Sequence, residues 1–159
     1  MYPARVLELF PPFPRRNEVF VIMSFDARFR HRWENVVVPA VGRIAIDGVP
    51  LRPVRADPRT VSDSIVTDII TGISNARLVL VDVTTMGIMD GTPIRNGSVM
   101  YEVGLAQAVR QPEEVILLRS DNARIIFDIS IVRILSYDPD GDPRGAVDFV
   151  RDIITFGAS

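Results

Sequence analysis

The chain has 159 residues, 47% hydrophobic and 24% charged, with a net charge of −2; this suits one globular domain with a full core and argues against a nucleic-acid-coating surface. It holds no cysteine, one histidine and no lysine, all 18 basic residues being arginine, which excludes thiol catalysis, thiolate metal sites, disulfides, Schiff bases and a P-loop. No apolar stretch approaches the roughly 18 residues that span a bilayer, and the start Met1-Tyr2-Pro3-Ala4-Arg5 lacks the pattern of a signal peptide, so a cytoplasmic protein with no membrane partner is expected.

Residues 1–18 contain Pro3, Pro11, Pro12 and Pro14 without a sustained period. They read as an irregular arm ahead of a domain over 19–159. Val19 to Phe25 is a short continuous apolar run, the mark of a strand buried on both faces. A helix is expected from about Ala27 to Val41, with Trp33, Val36, Val37 and Ala40 inward and Pro39 kinking it or ending it early. His31 falls in the charged start of that helix, a solvated position with nothing nearby to support a Ser-His-Asp triad. Leu51 to Ala56 forms a second strand and runs into Arg55-Ala56-Asp57-Pro58. Ser62 to Ser74 reads as a helix, with Ser62 as cap and Ile65, Ile69, Ile70 and Ile73 on one stripe.

Ala76 to Val83 is the third and most buried strand. Thr84 to Gly97 is a loop, long for a compact domain and therefore a functional candidate, with Asp90 as a turn residue. Ser98 to Val109 is a helix, apolar on nearly every side and so expected to be buried. Ser98 is its expected N-cap, Glu102 its only carboxylate, in the first turn, and Gly104 the point of close approach to the sheet. Strands follow at Val115 to Leu118 and Ile131 to Tyr137, with a closing helix from about Arg144 to Thr155.

Strands and helices alternate without repeat or low-complexity tract, which selects a parallel sheet covered on both faces with right-handed crossovers. The expected fold is a three-layer α/β flavodoxin-like domain with a five-stranded parallel sheet in the order 2-1-3-4-5. No Gly-x-Gly-x-x-Gly follows the first strand, so no dinucleotide fingerprint is present. No cofactor and no metal site are expected.

Ligands of such sheets bind beyond the carboxyl ends of the strands, near the reversal of strand order. That rule nominates Met23, Ser24 and Phe25 after the first strand, Arg55 and Asp57 after the second, and Asp82 and Thr84 after the third. Asn96, Ser98 and Tyr101 lead to Glu102. Carboxylates accept hydrogen bonds from sugar hydroxyls, an aromatic stacks a base, and arginine holds a phosphate or carboxylate. Arg55 favours phosphorylated ligands, because a neutral nucleoside gives it little to pair with. A glutamate at a helix N-terminus is expected to stay ionised, which suits a nucleophile that displaces a base from an anomeric carbon. Each position also has a structural reading: Asp82 as a brace for the next loop, Arg55 and Asp57 as a surface pair, Tyr101 as a packing residue, and Asp128 as a turn cap.

Three segments carry a family resemblance: Val19-Phe20-Val21-Ile22-Met23-Ser24-Phe25, Ala76-Arg77-Leu78-Val79-Leu80-Val81-Asp82-Val83-Thr84, and Asn96-Gly97-Ser98-Val99-Met100-Tyr101-Glu102-Val103-Gly104-Leu105-Ala106. Together they resemble the nucleoside 2-deoxyribosyltransferase-like superfamily, in its small bacterial members, over most of the stretch from Val19 to Tyr137, including Phe127-Asp128-Ile129. The resemblance implies cleavage of an N-glycosidic bond of a nucleoside or nucleotide, by hydrolysis or deoxyribosyl transfer. It aligns Glu102 with the nucleophile and puts Asp82 near an acid that contacts sugar or base. It also implies a homodimer or larger homo-oligomer. The chain departs from the family pattern at Ser98, where a second asparagine is usual, at Gly97, where proline is expected, and at Ser24, where related chains often carry proline. These departures bear on which base or sugar is accepted, and on whether the site binds without turnover. Two other readings stand beside this one: an NAD-cleaving hydrolase like the Toll/interleukin-receptor fold, and a nucleotide sensor without catalysis.

Overall fold

A computed structural model of the chain describes residues 15–56, 65–124 and 133–158. The first strand, β1, is Arg16–Ile22. It starts three residues earlier than the apolar run and stops three sooner, because its ladder with the central strand ends at the pair Ile22 and Val81. Residues 16–18 therefore belong to the sheet and not to the arm; residues 1–14 lie outside the described residues.

Asp26 caps the next helix by accepting a hydrogen bond from the Arg28 amide. This helix, α1, runs over 27–41 and is not uniform: a 3-10 turn at Ala27–Phe29, α-helix at Arg30–Arg32, a π turn at Trp33–Val37 and α-helix again at Val38–Val41. Pro39 neither ends nor interrupts it. A proline clashes with the carbonyl four residues back and lacks a donor, and the wider π turn just before it relieves both problems. Val36, Val37, Ala40 and Val41 are buried and Trp33 partly so, as their spacing predicts.

A short hairpin absent from the sequence reading follows, β2 at Ala45–Ile46 and β3 at Val49–Pro50. Asp47 and Gly48 turn it with φ of 51° and 78°, the paired positive values that an Asp-Gly hairpin turn requires. Strand β4, Arg52–Val54, lies parallel to β1. It is an edge strand, the place in a sheet where Pro53 is tolerated. Helix α2, Ile65–Asn75, buries Ile69 and Ile73, while Ile65 of the expected stripe is exposed; Ser62 lies outside the described residues. Gly72 sits against the Phe20 ring, so close that a Cβ there would lie 2.2 Å from Cε2.

Strand β5, Ala76–Asp82, is the centre of the sheet, between β1 and a later strand. The long loop after it holds a second unforeseen hairpin, β6 at Thr85–Met89 and β7 at Thr92–Arg95. Asp90 and Gly91 turn it, again at positive φ. Helix α3 is Gly97–Val109, and a 3-10 turn at Pro112–Glu114 leads into β8, Val115–Arg119. Strand β9, Ile134–Ser136, and helix α4, Pro143–Ala158, complete the chain.

The five-stranded sheet has the order β4-β1-β5-β8-β9 with every pair parallel, which is the expected 2-1-3-4-5. Alternate residues of β1 explain its continuous apolar run. Val19 and Val21 pack with α1 and α4, whereas Phe20 and Ile22 pack with α2 and α3. Burial of both sheet faces supplies most of the driving force for the fold. Among the described residues, no helix is long and apolar enough to cross a membrane.

Candidate functional site

Because all five strands run the same way, their carboxyl ends open on one edge. Ser24 and Asn96 tie the two sides of the strand-order reversal together there. The Asn96 amide donates to Ser24 Oγ at 3.2 Å, and Ser24 Oγ also accepts from the Asp26 amide at 3.1 Å. Asn96 is the cap of α3, its Oδ1 accepting from the Val99 amide at 3.1 Å. Ser98 is thus not the cap: the helix starts two residues earlier than its position required, and its side chain is exposed.

That shift also moves Glu102 out of the first turn. It lies six residues beyond the cap, about 9 Å along the axis at 1.5 Å per residue, where the helix dipole has largely faded. Among the described residues its carboxylate has no hydrogen-bond or ion-pair partner. Partial burial is then unopposed and pushes its pKa from 4.5 up to about 7. The expectation of a firmly ionised carboxylate is corrected accordingly: near neutrality Glu102 is a mixture of acid and anion. Ser98, Tyr101 and Glu102 are neighbours on one helix face by their spacing, and Tyr101 is 57% exposed. The helix is not buried all round either. Val99, Val103 and Ala106 face the sheet, while Gly97, Ser98, Tyr101 and Gly104 face out. A Cβ on Gly104 would meet nothing within 4 Å, so close approach to the sheet is not its role.

Asp82 ends β5 and is buried. One oxygen accepts from the Thr84 amide at 2.9 Å and from the Thr84 hydroxyl. The other accepts from Tyr137 Oη at 2.6 Å and from Arg32 Nη1 at 3.1 Å. The bracing reading of Asp82 therefore has its geometry, with Thr84 as the braced residue. Burial and the Asp82 charge both hold the Tyr137 proton on, raising its pKa far above the usual phenol range. Arg32 extends the network outward. Its Nη2 donates to Asp140 at 2.7 Å, and His31 Nε2 meets the other Asp140 oxygen at 2.5 Å. Burial opposes ionisation of Asp140, but the hydrogen bonds and charges of Arg32 and His31 outweigh it and lower its pKa.

Arg32, Tyr137 and Asp140 were not nominated from sequence. Arg32 stood in a run that looked like a solvated helix start, yet it lies three residues after Phe29 and four before Val36, on the inward stripe. Tyr137 follows the last strand, so the strand-end rule applied to it as well. No sequence signal distinguished Asp140.

The remaining nominees separate into core and mouth. Met23 and Thr84 are buried, Met23 within the core on the α1 and α4 side. Phe25 is 45% exposed, and the Arg55 guanidinium lies over its ring at 4.1 Å and over the Trp33 ring at 4.6 Å. Each such contact contributes about 0.5–2 kcal/mol, according to its exposure. Arg28 donates to the Met86 carbonyl at 2.9 Å and so fastens the β6–β7 hairpin to the start of α1. Asp57 and Asp128 lie outside the described residues.

Among the described residues no cluster of histidine, aspartate or glutamate is arranged to hold a metal ion. A hollow between α1 and α4, lined by Asn35, Pro39, Arg43 and Val147 among others, lies on the helical face and includes none of the nominated residues. No protein-family model matches the chain, and no curated protein matches it in sequence.

Proposed function

We propose that the protein cleaves the N-glycosidic bond of a nucleoside or nucleotide, with Glu102 as the nucleophile, in the manner of the nucleoside 2-deoxyribosyltransferase-like superfamily that its motifs resemble. The observation that carries this reading is the Glu102 carboxyl. It is partly buried, unpaired among the described residues and poised near neutrality, on a helix whose cap is fastened to the end of β1. Structural carboxylates in this chain are placed differently: Asp82, Asp26 and Glu114 each have an arginine partner. A half-buried acid without one is destabilising unless it is used.

In the ionised fraction, a Glu102 oxygen attacks C1′ of the sugar. The C1′–N bond breaks, its electron pair leaves with the base, and the base takes a proton from water. Hydrolysis of the resulting glycosyl ester frees the sugar and regenerates the carboxylate; attack by a second base gives transfer instead. Asp82 enters this reading as the anchor that fixes Thr84 just after β5, since both its oxygens already accept from protein donors. A homo-oligomer remains part of the proposal through the family resemblance alone.

The test is release of free base from purine and pyrimidine nucleosides, deoxynucleosides and their monophosphates. The rate should rise with pH, half-maximal near about 7, to a plateau above about 8, and fall at least 100-fold in Glu102→Ala. An unchanged rate in that variant removes Glu102 from the reaction.

A further inference from the structure

Ser24 stands two residues past β1, where the strand order reverses between β1 and β5, and is 7% exposed. Its oxygen is fully used as an acceptor. The Asp26 amide, which can only donate, lies at 3.1 Å, and Asn96 Nδ2 lies at 3.2 Å. The Asn96 orientation is fixed as well, because its Oδ1 has to face the Val99 amide, at 3.1 Å. A serine hydroxyl has two lone pairs and one hydrogen. Both lone pairs are taken, so a third partner of Ser24 must accept.

Among the described residues nothing accepts from that hydrogen, and the second hydrogen of Asn96 Nδ2 is unspent too. Thr84, the other buried hydroxyl at this edge, is different. It donates to Asp82 while it accepts from Arg32 Nη1 and the Ser120 amide. A nearly buried donor without an acceptor is destabilising. The chains whose motif this one resembles often carry proline at the position of Ser24, which offers no side-chain donor. Ligands of open parallel sheets seat at this reversal. Helical side chains tilt toward the N-terminus, so Glu102 leans toward the end of α3 that Ser24 and Asn96 hold.

We infer that Ser24 is a specificity-determining residue whose hydroxyl, with the Asn96 amide beside it, donates to a sugar oxygen of the substrate. The identity of the substrate rests on the glycosidic-cleavage reading; the hydrogen bond does not need turnover. Ser24 has no lone pair left for a ligand donor, so it reads only an acceptor.

The test is calorimetric titration of full-length Glu102→Gln, which lacks the proposed nucleophile. The ligands are adenosine, guanosine, cytidine and uridine, with their 2′-deoxy, 3′-deoxy, 5′-deoxy and carbocyclic analogues. Base release by the parent is followed in parallel. For the preferred nucleoside, removal of one sugar oxygen should weaken binding roughly 10-fold or more. Adding Ser24→Ala should weaken the intact nucleoside by a similar factor and that analogue far less, because both changes delete one bond. Ser24→Thr keeps a hydroxyl and should keep the discrimination. Ser24→Cys, a weak donor, should lose most of it and stands in should Ser24→Ala fail to fold. A purely structural role would weaken the intact nucleoside and every analogue alike, which overturns the inference. Discrimination unchanged in Ser24→Ala, or no binding of any nucleoside, overturns it too. Glu102-dependent base release with no such coupling overturns the Ser24 contact and leaves cleavage standing. Coupled binding without base release keeps the contact and sinks cleavage.

Discussion

Replacing Glu102 by glutamine removes a charge that the fold tolerates poorly, and the effect must depend on pH. The unfolded chain ionises this carboxyl near 4.5, whereas the folded protein does so near 7. A raised carboxyl pKa means that the folded state holds its proton more tightly. The destabilisation is therefore absent well below pH 4.5, grows between 4.5 and 7, and is constant above. At about 1.4 kcal/mol for each tenfold change in proton affinity, the full penalty is about 3 kcal/mol. Glu102 is only partly buried, so solvent screening reduces this to about 1–2 kcal/mol. Glu102→Gln should then melt about 2–8 °C above the parent at pH 8.5, taking about 2–4 °C per kcal/mol for a domain of this size. The advantage should shrink to about a quarter by pH 5. Thermal unfolding of both proteins by circular dichroism, at matched ionic strength across this range, provides the comparison. A difference in melting temperature that stays constant with pH, or a variant less stable than the parent at pH 8.5, would show that Glu102 is solvated or paired.

Three further outcomes follow from the same structure. Tyr137→Phe removes the hydroxyl that donates to Asp82 at 2.6 Å and should lower unfolding free energy by about 1–3 kcal/mol in urea titrations, since a buried carboxylate loses a donor. Arg110→Ala should cost about 3–5 kcal/mol by the same measurement. Arg110 is 1% exposed and donates to the carbonyls of Ile73, Ala76 and Arg77 as well as to Glu114. Asp140→Asn should destabilise the protein by about 0.5–1 kcal/mol at pH 7, because this carboxylate is half exposed. Its folded pKa is depressed, so the contribution exists above the unfolded value and is lost as pH falls through the folded one. Parent and variant should therefore converge as the pH falls below the usual carboxylate range in acid titrations of stability.

The sheet was legible because its strands are apolar runs of the length that buried parallel strands need, separated by helical periods. Both hairpins were missed although each carries an Asp-Gly turn, Asp47-Gly48 and Asp90-Gly91. Their flanking residues do not alternate in hydrophobicity, so turn chemistry was the only signal. Pro39 misled because a proline announces a break, whereas the π turn that absorbs it depends on tertiary packing of α1. At the candidate site, the strand-end rule gathered Ser24, Phe25, Arg55, Asp82 and Asn96 at one edge. It could not show that Asp82 is bound by Arg32 and Tyr137 from distant parts of the chain. The helix α3 starts two residues earlier than Ser98 as cap requires, which takes Glu102 beyond the first turn, and the partial burial that raises its pKa depends on packing that the sequence does not display. A cap is a local hydrogen bond, and Asn96 and Ser98 are both good candidates for it.

The central claim is that the Glu102 carboxylate forms a bond to the sugar carbon from which a base departs. Intact-mass and peptide mass spectrometry can test it, after incubation with 2′-fluoro nucleosides and nucleotides, in which the electron-withdrawing fluorine slows ester hydrolysis. The protein should gain the mass of one fluorinated sugar, or sugar phosphate, on the peptide containing Glu102, with one equivalent of base released, and Glu102→Gln should gain nothing. Base release with no adduct, or an adduct on another residue that persists in Glu102→Gln, would contradict the account.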